Sequence, residues 1–458
     1  MKDTDTICAI ATSNNSIAGI SIIRISGKES LNIAKKFITA FKTRTQIEAR
    51  HMYLSDVELE NGIDKCLAVY FKAPHSFTGE DVVELHLHGG IALTDLALKR
   101  CLEFGCRLAN RGEFSKRAFL NGKQSLDSLE GIIDIINADS EAELSANFNL
   151  ANGKLRQELE KNQSTLTDIL AEIEVALDYP EEDIEYTTEK QIKIKLESVL
   201  SSINALIETN KSGRMLKSGI NIAIIGKPNV GKSSLLNALL NYDRAIVTDI
   251  AGTTRDSIED SFTFKGVKFN ICDTAGIRNS TDIVESIGIE RAINQIKSSS
   301  IILLIVDASR KINAEDKKIF ELVEDYTTPT ILVINKIDAK ENQFNTTDLP
   351  KSCNILNTIE ISAKNSENID KLKNLLYNLT LGKDFNASAL LITNQRHLEA
   401  LKMASDNLGQ AINSISKTSL DCITLDIKEA WNNLANITGK VITEEVIDSI
   451  FSKFCLGK

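Results

Sequence analysis

Over the first 120 residues, short apolar runs alternate with polar positions. "AGISIIRISG" (18–27), "DKCLAVYF" (64–71) and "DVVELHLHGG" (81–90) carry the period of two expected of half-buried strands, and one helical stretch follows Gly90. This texture predicts a small α/β unit. From about residue 122 the period lengthens: Leu126, Leu129, Ile132, Ile133 and Ile136 mark one face of a helix, and the acidic "DYPEEDIEY" (178–186) interrupts two long helical segments. Strand and helix alternate again through residues 218–382, in "NIAIIG", "KFNICDTAG", "IILLIVD" and "TILVINK", which predicts a mostly parallel sheet. Helical texture returns after Asp384 and runs to the end. A helical region, an α/β region and a second helical region predict that the sheet is inserted within one helical domain, its two ends close together. The expected domains are 1–121, 122–215, 216–382 and 383–458.

Composition adds limits. At 458 residues the chain is too long for one core, and 42% apolar with 25% charged residues is ordinary for a globular protein. A formal net charge of −10 argues against gripping nucleic acid by bulk electrostatics, so an RNA partner calls for a local basic patch or a second protein. The eight cysteines form no CxxC pair and no zinc spacing. Scattered thiols, a start ("MKDTDTICAI") unlike a signal peptide, and apolar runs too short for a membrane span lead us to expect a cytoplasmic protein with no membrane partner.

The chemistry lies in the middle. "GKPNVGKSS" (226–234) fits G-x-x-x-x-G-K-[ST], after a β-run and before the helical "SLLNALLN". In such a loop the backbone N–H groups of Asn229, Val230, Gly231, Lys232, Ser233 and Ser234 turn toward phosphates. Lys232 reaches the outer phosphates, and the Ser233 hydroxyl suits magnesium. "DTAG" (Asp273, Thr274, Ala275, Gly276) places a carboxylate near the metal and the Gly276 N–H near the terminal phosphate. In "NKID", Asn335, Lys336 and Asp338 are expected to contact the nucleotide, and Asp338 can accept two hydrogen bonds from guanine that adenine does not offer. "SAK" (Ser362, Ala363, Lys364) supplies an N–H for the guanine carbonyl. Each short match alone has a bland explanation, but four in order at strand ends predict a GTP site with magnesium.

One position deviates. Where many GTPases carry a water-orienting glutamine after the DxxG glycine, this chain has Ile277. Hydrolysis then needs another group to position water; Asp282, Glu285 and Glu290 are candidates, each equally explicable as a solvated carboxylate. It also needs another positive charge. A monovalent cation held by Asn229 and the "TDIAGTTRD" segment (248–256) is one source, and Arg255 is the rival, unless it pairs with Asp256 or Glu259.

Taken with "GISIIRISG", "SFTGEDVVELHLHGG" (76–90), "RGEFSKRAFLNGKQSLDSLEGIIDII" (111–136), "ESIGIERA" and a terminal "FCLGK", these motifs resemble the MnmE (TrmE) family of tRNA-modification GTPases along the whole chain. The resemblance implies an N-terminal α/β folate-binding and dimerisation domain, an all-α helical domain, and a Ras-like P-loop α/β GTPase domain inserted in the latter. It implies a homodimer that, with a FAD-dependent partner of the MnmG (GidA) family in a heterotetramer or larger complex, modifies carbon 5 of the wobble uridine (position 34) of certain tRNAs. The added group is aminomethyl or carboxymethylaminomethyl, and its one-carbon unit comes from 5,10-methylene- or 5-formyl-tetrahydrofolate. GTP hydrolysis is implied to be potassium-activated. By the resemblance, potassium falls to Asn229, Thr248, Ile250 and Thr253, within a nucleotide-contacting segment that also includes Asp249, Ala251 and Gly252. Thr254 joins Ser233 on magnesium, and Glu285 orients the water. Folate contacts fall on Arg24, Glu84, Lys123 and Lys458. In one place the chain departs from the family: "ATSNNSIAGI" (11–20) lacks the usual Pro/Gly richness.

At the tail, Ile447, Ile450, Phe451 and Phe454 form one apolar stripe, Thr443 stands at an N-cap position and Gly457 where a helix terminator falls. On pattern alone Cys455 is a buried helix-end cysteine; the resemblance instead makes it a candidate catalytic thiol. A ribosome-binding regulatory GTPase would carry the same central motifs, but it would bring a basic C-terminal RNA-binding domain, which this chain lacks.

Overall fold

The computed structural model describes residues 5–12, 17–60, 62–178, 189–241, 260–272, 293–339, 355–383, 385–454 and 457. Its first sheet contains β1 (Ile7–Ile10), β2 (Ile20–Ser26), β3 (Met52–Leu59), β4 (Gly62–Phe71), β5 (Val82–His88) and the short β6 (Arg107–Leu108), in the order β3-β4-β5-β2-β1-β6. All neighbours are antiparallel except β1 and β6. The period of two does what it should. Val83, Leu85 and Leu87 of β5 are buried in the core beneath helix Ile91–Glu103, while Glu84 and His86 point to the other face. That second face is uncovered at the β3–β4 end, where Met52, Leu54 and Leu67 are 48%, 69% and 38% exposed.

Helices Leu126–Asn137, Glu141–Ala151, Lys154–Asp178 and Glu189–Glu208 come next, and helices Gln395–Ser414 and Leu420–Thr438 follow the second sheet in the chain. The two sets share one core. Leu155, Leu159, Leu166, Ile169, Leu196 and Ile203 pack in the same cluster as Leu401, Leu408, Ile427 and Leu434. Helices from before and after the second sheet in the chain thus contribute to one hydrophobic core. Ile136, expected on the buried face, is 44% exposed; it lies in the last turn, nearly opposite the buried Asp134 around the helix.

The second sheet holds β7 (Ile220–Ile225), β8 (Asp260–Phe264), β9 (Val267–Ile271), β10 (Ile301–Asp307), β11 (Thr330–Asn335) and β12 (Ile355–Ile361), in the order β12-β11-β10-β7-β9-β8. Every pairing is parallel except the β8–β9 hairpin. Each residue of β10 and β11 is buried, as strands covered on both faces require. β7 lies inside the sheet between β9 and β10, so the loop after it opens at the carboxyl ends of the strands, where open α/β sheets bind ligands. No helix among the described residues is long and apolar enough to cross a membrane.

One charge cluster joins the helices before the second sheet to those after it. Arg396 donates from Nε to Glu130 Oε1 at 3.1 Å and from a terminal nitrogen to Oε2 at 2.6 Å, and His397 Nε2 lies 2.7 Å from the same Oε2. Arg396 also donates to the carbonyls of Asn436 and Ile437. His397 is 1% exposed and Glu130 8%. Burial alone would raise the Glu130 pKa, but His397 and Arg396 more than offset it and hold the carboxyl down to about 2.

Removing one member of a buried pair costs about 3–5 kcal/mol. We therefore expect Glu130→Gln to lower the unfolding midpoint of the helical region in a circular-dichroism melt by several degrees at neutral pH. Because the folded pKa is depressed, the contribution of Glu130 is complete above its ordinary value of 4.5 and is lost as pH falls toward about 2. The gap between wild type and variant should narrow across that window. A gap independent of pH would mean that Glu130 acts by shape and not by charge.

Candidate functional site

The loop after β7 is shaped by positions that few residue types tolerate. Gly231 has φ +101°, and a Cβ there would lie 2.2 Å from Asn335 Nδ2, so only glycine fits. Asn229 is exposed with φ +64°, held by a hydrogen bond from Lys336 Nζ to its carbonyl at 2.7 Å. Helix Lys232–Asn241 starts at the end of this loop, so its unpaired N–H groups and positive dipole end face the crevice. Lys232 Nζ donates to the carbonyls of Gly226 and Lys227, each at 2.7 Å. Burial pulls its pKa down to about 8. A phosphate arriving at the loop would replace those carbonyls with a charged partner and favour the protonated amine. Val230 is buried beneath the loop, while Ser233 and Ser234 open the helix at exposed positions.

Asn335, at the end of β11, ties two of the predicted segments together. Its Nδ2 donates to Val230 O at 2.9 Å, and its Oδ1 accepts from Ala363 N at 3.0 Å. At 2% exposure it braces the two loops from within. Lys336 bridges the phosphate loop to β10 by pairing with Asp307 Oδ2 at 2.6 Å. Burial works against the Asp307 charge, but hydrogen bonds from Lys336 and Ser309 keep its pKa below the usual value. Asp338 is exposed, and Ser362 donates to its Oδ1 at 2.7 Å; that bond holds its carboxyl below the ordinary range. An ionised, outward carboxylate suits two N–H donors on one edge of a base. Lys364 is exposed beside it. The loop after β7, Asp338 and the 362–364 loop thus meet at the carboxyl ends of the strands. Sequence reasoning missed Asp307, whose only signal was its place at the end of "IILLIVD".

Several predicted residues lie outside the described residues: Thr248, Asp249, Ile250, Ala251, Gly252, Thr253, Thr254, Arg255, Asp273, Thr274, Ala275, Gly276, Ile277, Asp282, Glu285 and Glu290, together with Cys455 and Lys458.

A second constellation lies on the open face of the first sheet. Arg24 on β2 stands directly opposite Glu84 on β5, and its Nε donates to Glu84 Oε1 at 2.8 Å. The guanidinium lies 5.4 Å from the ring centroid of Phe77 and 5.7 Å from that of Phe114. His86 approaches the other oxygen of Glu84, with Nε2 3.6 Å from Oε2; the sequence had not singled it out. Lys123 lies on the far flank of the 76–80 loop, its side chain against Gly79 and its Nζ donating to Pro74 O at 2.8 Å.

The tail comes to the same place. Helix Glu444–Phe451 buries Ile447 and Phe451, and Phe454 beyond it, against Leu126 and Leu129. Thr443 is its N-cap, though no side-chain bond caps the helix, and the helix ends at Ser452, so Gly457 does not terminate it as the sequence suggested. Gly457 instead docks on β1: it has φ +89°, and a Cβ there would meet Ile10 O at 2.3 Å. Its carbonyl accepts from Arg24 at 3.4 Å, across 433 residues of chain. A contact so distant in sequence has no local signature.

Known relatives match the chain over nearly its whole length. A family model described as the MnmE helical domain matches residues 126–455, and one described as the GTP-binding protein TrmE N-terminus matches residues 6–123. The tRNA modification GTPase MnmE of Clostridioides difficile (strain 630) is 40% identical over 459 residues, 99% of each chain. That of Alkaliphilus metalliredigens (strain QYMF) is 39% identical over 462 residues, and that of Natranaerobius thermophilus 37% over 459, again over 99% of each chain.

Asn335→Ala removes both struts and leaves Val230 O and Ala363 N buried without partners. At about 1 kcal/mol per lost bond, and more for an orphaned group, GTP affinity should fall about 10- to 100-fold in a fluorescent-nucleotide titration. Wild-type affinity would show that the two loops hold their places without it.

Proposed function

Since the chain belongs to the MnmE family and is a tRNA modification GTPase, we propose that it is a potassium-activated GTP hydrolase that modifies the wobble uridine of certain tRNAs. A FAD-dependent partner of the MnmG family shares the reaction, which installs an aminomethyl or carboxymethylaminomethyl group at carbon 5. The one-carbon unit comes from tetrahydrofolate, in its 5,10-methylene or 5-formyl form. One observation carries this reading: the tail docks Gly457 against Arg24, which pairs with Glu84, and Cys455 and Lys458 are the near neighbours of Gly457 in sequence. The residues there fit a folate. Glu84 keeps Oε2 clear of Arg24, which suits a pterin's N–H donors, and the arginine sits beside the aromatic rings of Phe77 and Phe114. Arg24, Glu84, Lys123 and Lys458 would hold the cofactor, which supplies the one-carbon unit. Cys455 is the candidate catalytic thiol of this reading.

In the GTPase domain, assigned to 216–382, Ser233 with Thr254 would hold magnesium. Asn229 with Thr248, Ile250 and Thr253 would hold potassium beside the phosphates, and Glu285 would orient the water in place of the absent glutamine. Asp273 and Gly276 would serve the metal and terminal phosphate, and Asp338, Ser362, Ala363 and Lys364 the guanine. The remaining domains are assigned to 1–121, 122–215 and 383–458. The uncovered apolar positions Met52, Leu54 and Leu67 on β3 and β4 support a homodimer formed through the first sheet. On this reading the reaction takes place in the cytoplasm.

Deleting the gene should remove the modified wobble uridine from total tRNA, read by mass spectrometry of nucleosides; an unchanged profile would reject the role in modification. GTP turnover should be high in potassium and low in sodium. Equal rates in the two salts would remove the cation and the role given to Asn229.

A further inference from the structure

Resting on the reading of the first sheet as a folate site, we infer that a strip of cations along the loop after β4 binds a poly-γ-glutamate tail, so that the site prefers a polyglutamylated folate. The strip begins beside the Arg24–Glu84 pair. β4 sets Val69 opposite Glu84 and ends at Phe71, so Lys72 opens the loop just beyond that row of the sheet. The same loop then returns over the open face, where Phe77 covers Arg24 with its ring centroid 5.4 Å from the guanidinium.

Three exposed cations reach this loop from three parts of the chain. Arg50, just before β3, donates to His75 O at 3.2 Å; Lys123, just after helix Glu113–Leu120, donates to Pro74 O at 2.8 Å; Lys72 belongs to the loop itself. Gly79, with φ +78°, leaves room for the lysine stem, since a Cβ there would meet Lys123 Cγ at 3.1 Å. Among the described residues none of the three cations pairs with a carboxylate, whereas Lys42, Lys65, Lys99, Arg100 and Arg107 of the same domain each do. The acidic neighbours serve other donors. Asp81 Oδ1 accepts from Tyr70 Oη at 2.9 Å and Ala73 N at 2.8 Å, and Glu80 accepts from Ser26 and Arg117. Glu48, exposed two residues before Arg50, forms no ion pair with it. Arg50 and Lys123 thus rest on the neutral carbonyls of adjacent residues, as Lys232 rests on those of Gly226 and Lys227. Cations held this way are in place with their charge uncompensated, and an arriving anion gains charge-assisted hydrogen bonds.

The size and place of the strip select the anion. A γ-linked chain adds one carboxylate per glutamate to the end of a folate remote from its pterin, and three cations around one short loop suit a few such charges. A grip on RNA draws on about six to ten phosphate contacts and on open aromatic faces for the bases. Here the strip is short, the chain carries a net charge of −10, and the ring of Phe77 is already engaged with Arg24. Exposed cation–carboxylate contacts are individually weak, about 1.5- to 5-fold in affinity each, so the strip as a whole distinguishes tail length by about 10-fold. Arg50 and Lys72 stand apart from the four residues assigned to the body of the cofactor, which lets the two be tested separately.

The test is calorimetric titration of the full-length protein with the monoglutamyl and the pentaglutamyl forms of 5-formyl-tetrahydrofolate. Wild type should bind the pentaglutamate about 10-fold more tightly at about 0.1 M salt, and the preference should shrink at about 0.5 M salt as the charges are screened. Combining Arg50→Gln with Lys72→Gln should bring the pentaglutamate to within about twofold of the monoglutamate, with monoglutamate affinity and GTP turnover at the wild-type level. Lys72→Gln alone alters an exposed side chain and should remove part of the preference without disturbing the fold, while Arg50→Lys should keep most of it. Equal affinity of wild type for the two forms, or a preference that survives the double substitution, overturns the inference and leaves the folate reading standing. If neither form binds, the folate reading falls and the inference with it. A double variant that loses affinity for tRNA in a gel-shift titration yet keeps its preference for the pentaglutamate would assign the strip to RNA and overturn the inference.

Discussion

The architecture depends on one buried charge being neutralised from the far end of the chain. Glu130 lies on the first helix of the helical region, and its partners Arg396 and His397 lie on the first long helix after the second sheet. Neither side can bury its charge alone, since an isolated carboxylate or guanidinium in the interior would cost several kcal/mol. The chain therefore gains from this cluster only when the segment carrying the second sheet leaves the helical body and returns to the same place. Apolar packing along Leu159, Leu166, Leu401 and Leu408 supplies most of the attraction, but leucines tolerate sliding. A three-membered charge cluster with fixed directions does not, and it sets the register in which the two sets of helices meet.

Once the return point is fixed, the second sheet is organised around its own loops. Its internal organisation turns on Asn335, which uses one amide to hold two loops from opposite sides of the crevice. Lys336 does the same with one ammonium for Asn229 and Asp307. Backbone N–H groups and a helix end then handle the phosphates without a large basic surface. A net charge of −10 is compatible with that arrangement, because the anion is met by local dipoles and not by the field of the whole protein.

What the sequence made legible follows from how local each determinant is. The phosphate loop, NKID and SAK were readable because each is a strand end followed by a turn, and the structure puts those described segments at the carboxyl ends of the strands of one sheet. Alternation in "DVVELHLHGG" was enough to send Glu84 and His86 to one face. It was not enough to set Arg24 opposite Glu84, because register between β2 and β5 is decided by the whole sheet. The apolar stripe of the tail was legible in the same way. Its destination was not: Gly457 carries no local mark of a contact with Ile10, and reading it as a helix terminator gave a reasonable cap at the wrong place. Ile136 failed for a related reason, since apolar periodicity does not register the buried Asp134, which lies nearly opposite it around the helix.

The cluster that fixes the fold also fixes where the tail can go. Helix Leu126–Asn137 presents Asp134, Glu130 and Leu126 on one face: Asp134 pairs with Lys217, Glu130 with Arg396 and His397, and Leu126 packs against Phe451 and Phe454. Leucines at the middle position would leave the helix free to slide along its neighbours, whereas charge-assisted bonds with fixed directions set its position, and with it the surface on which the tail helix lies.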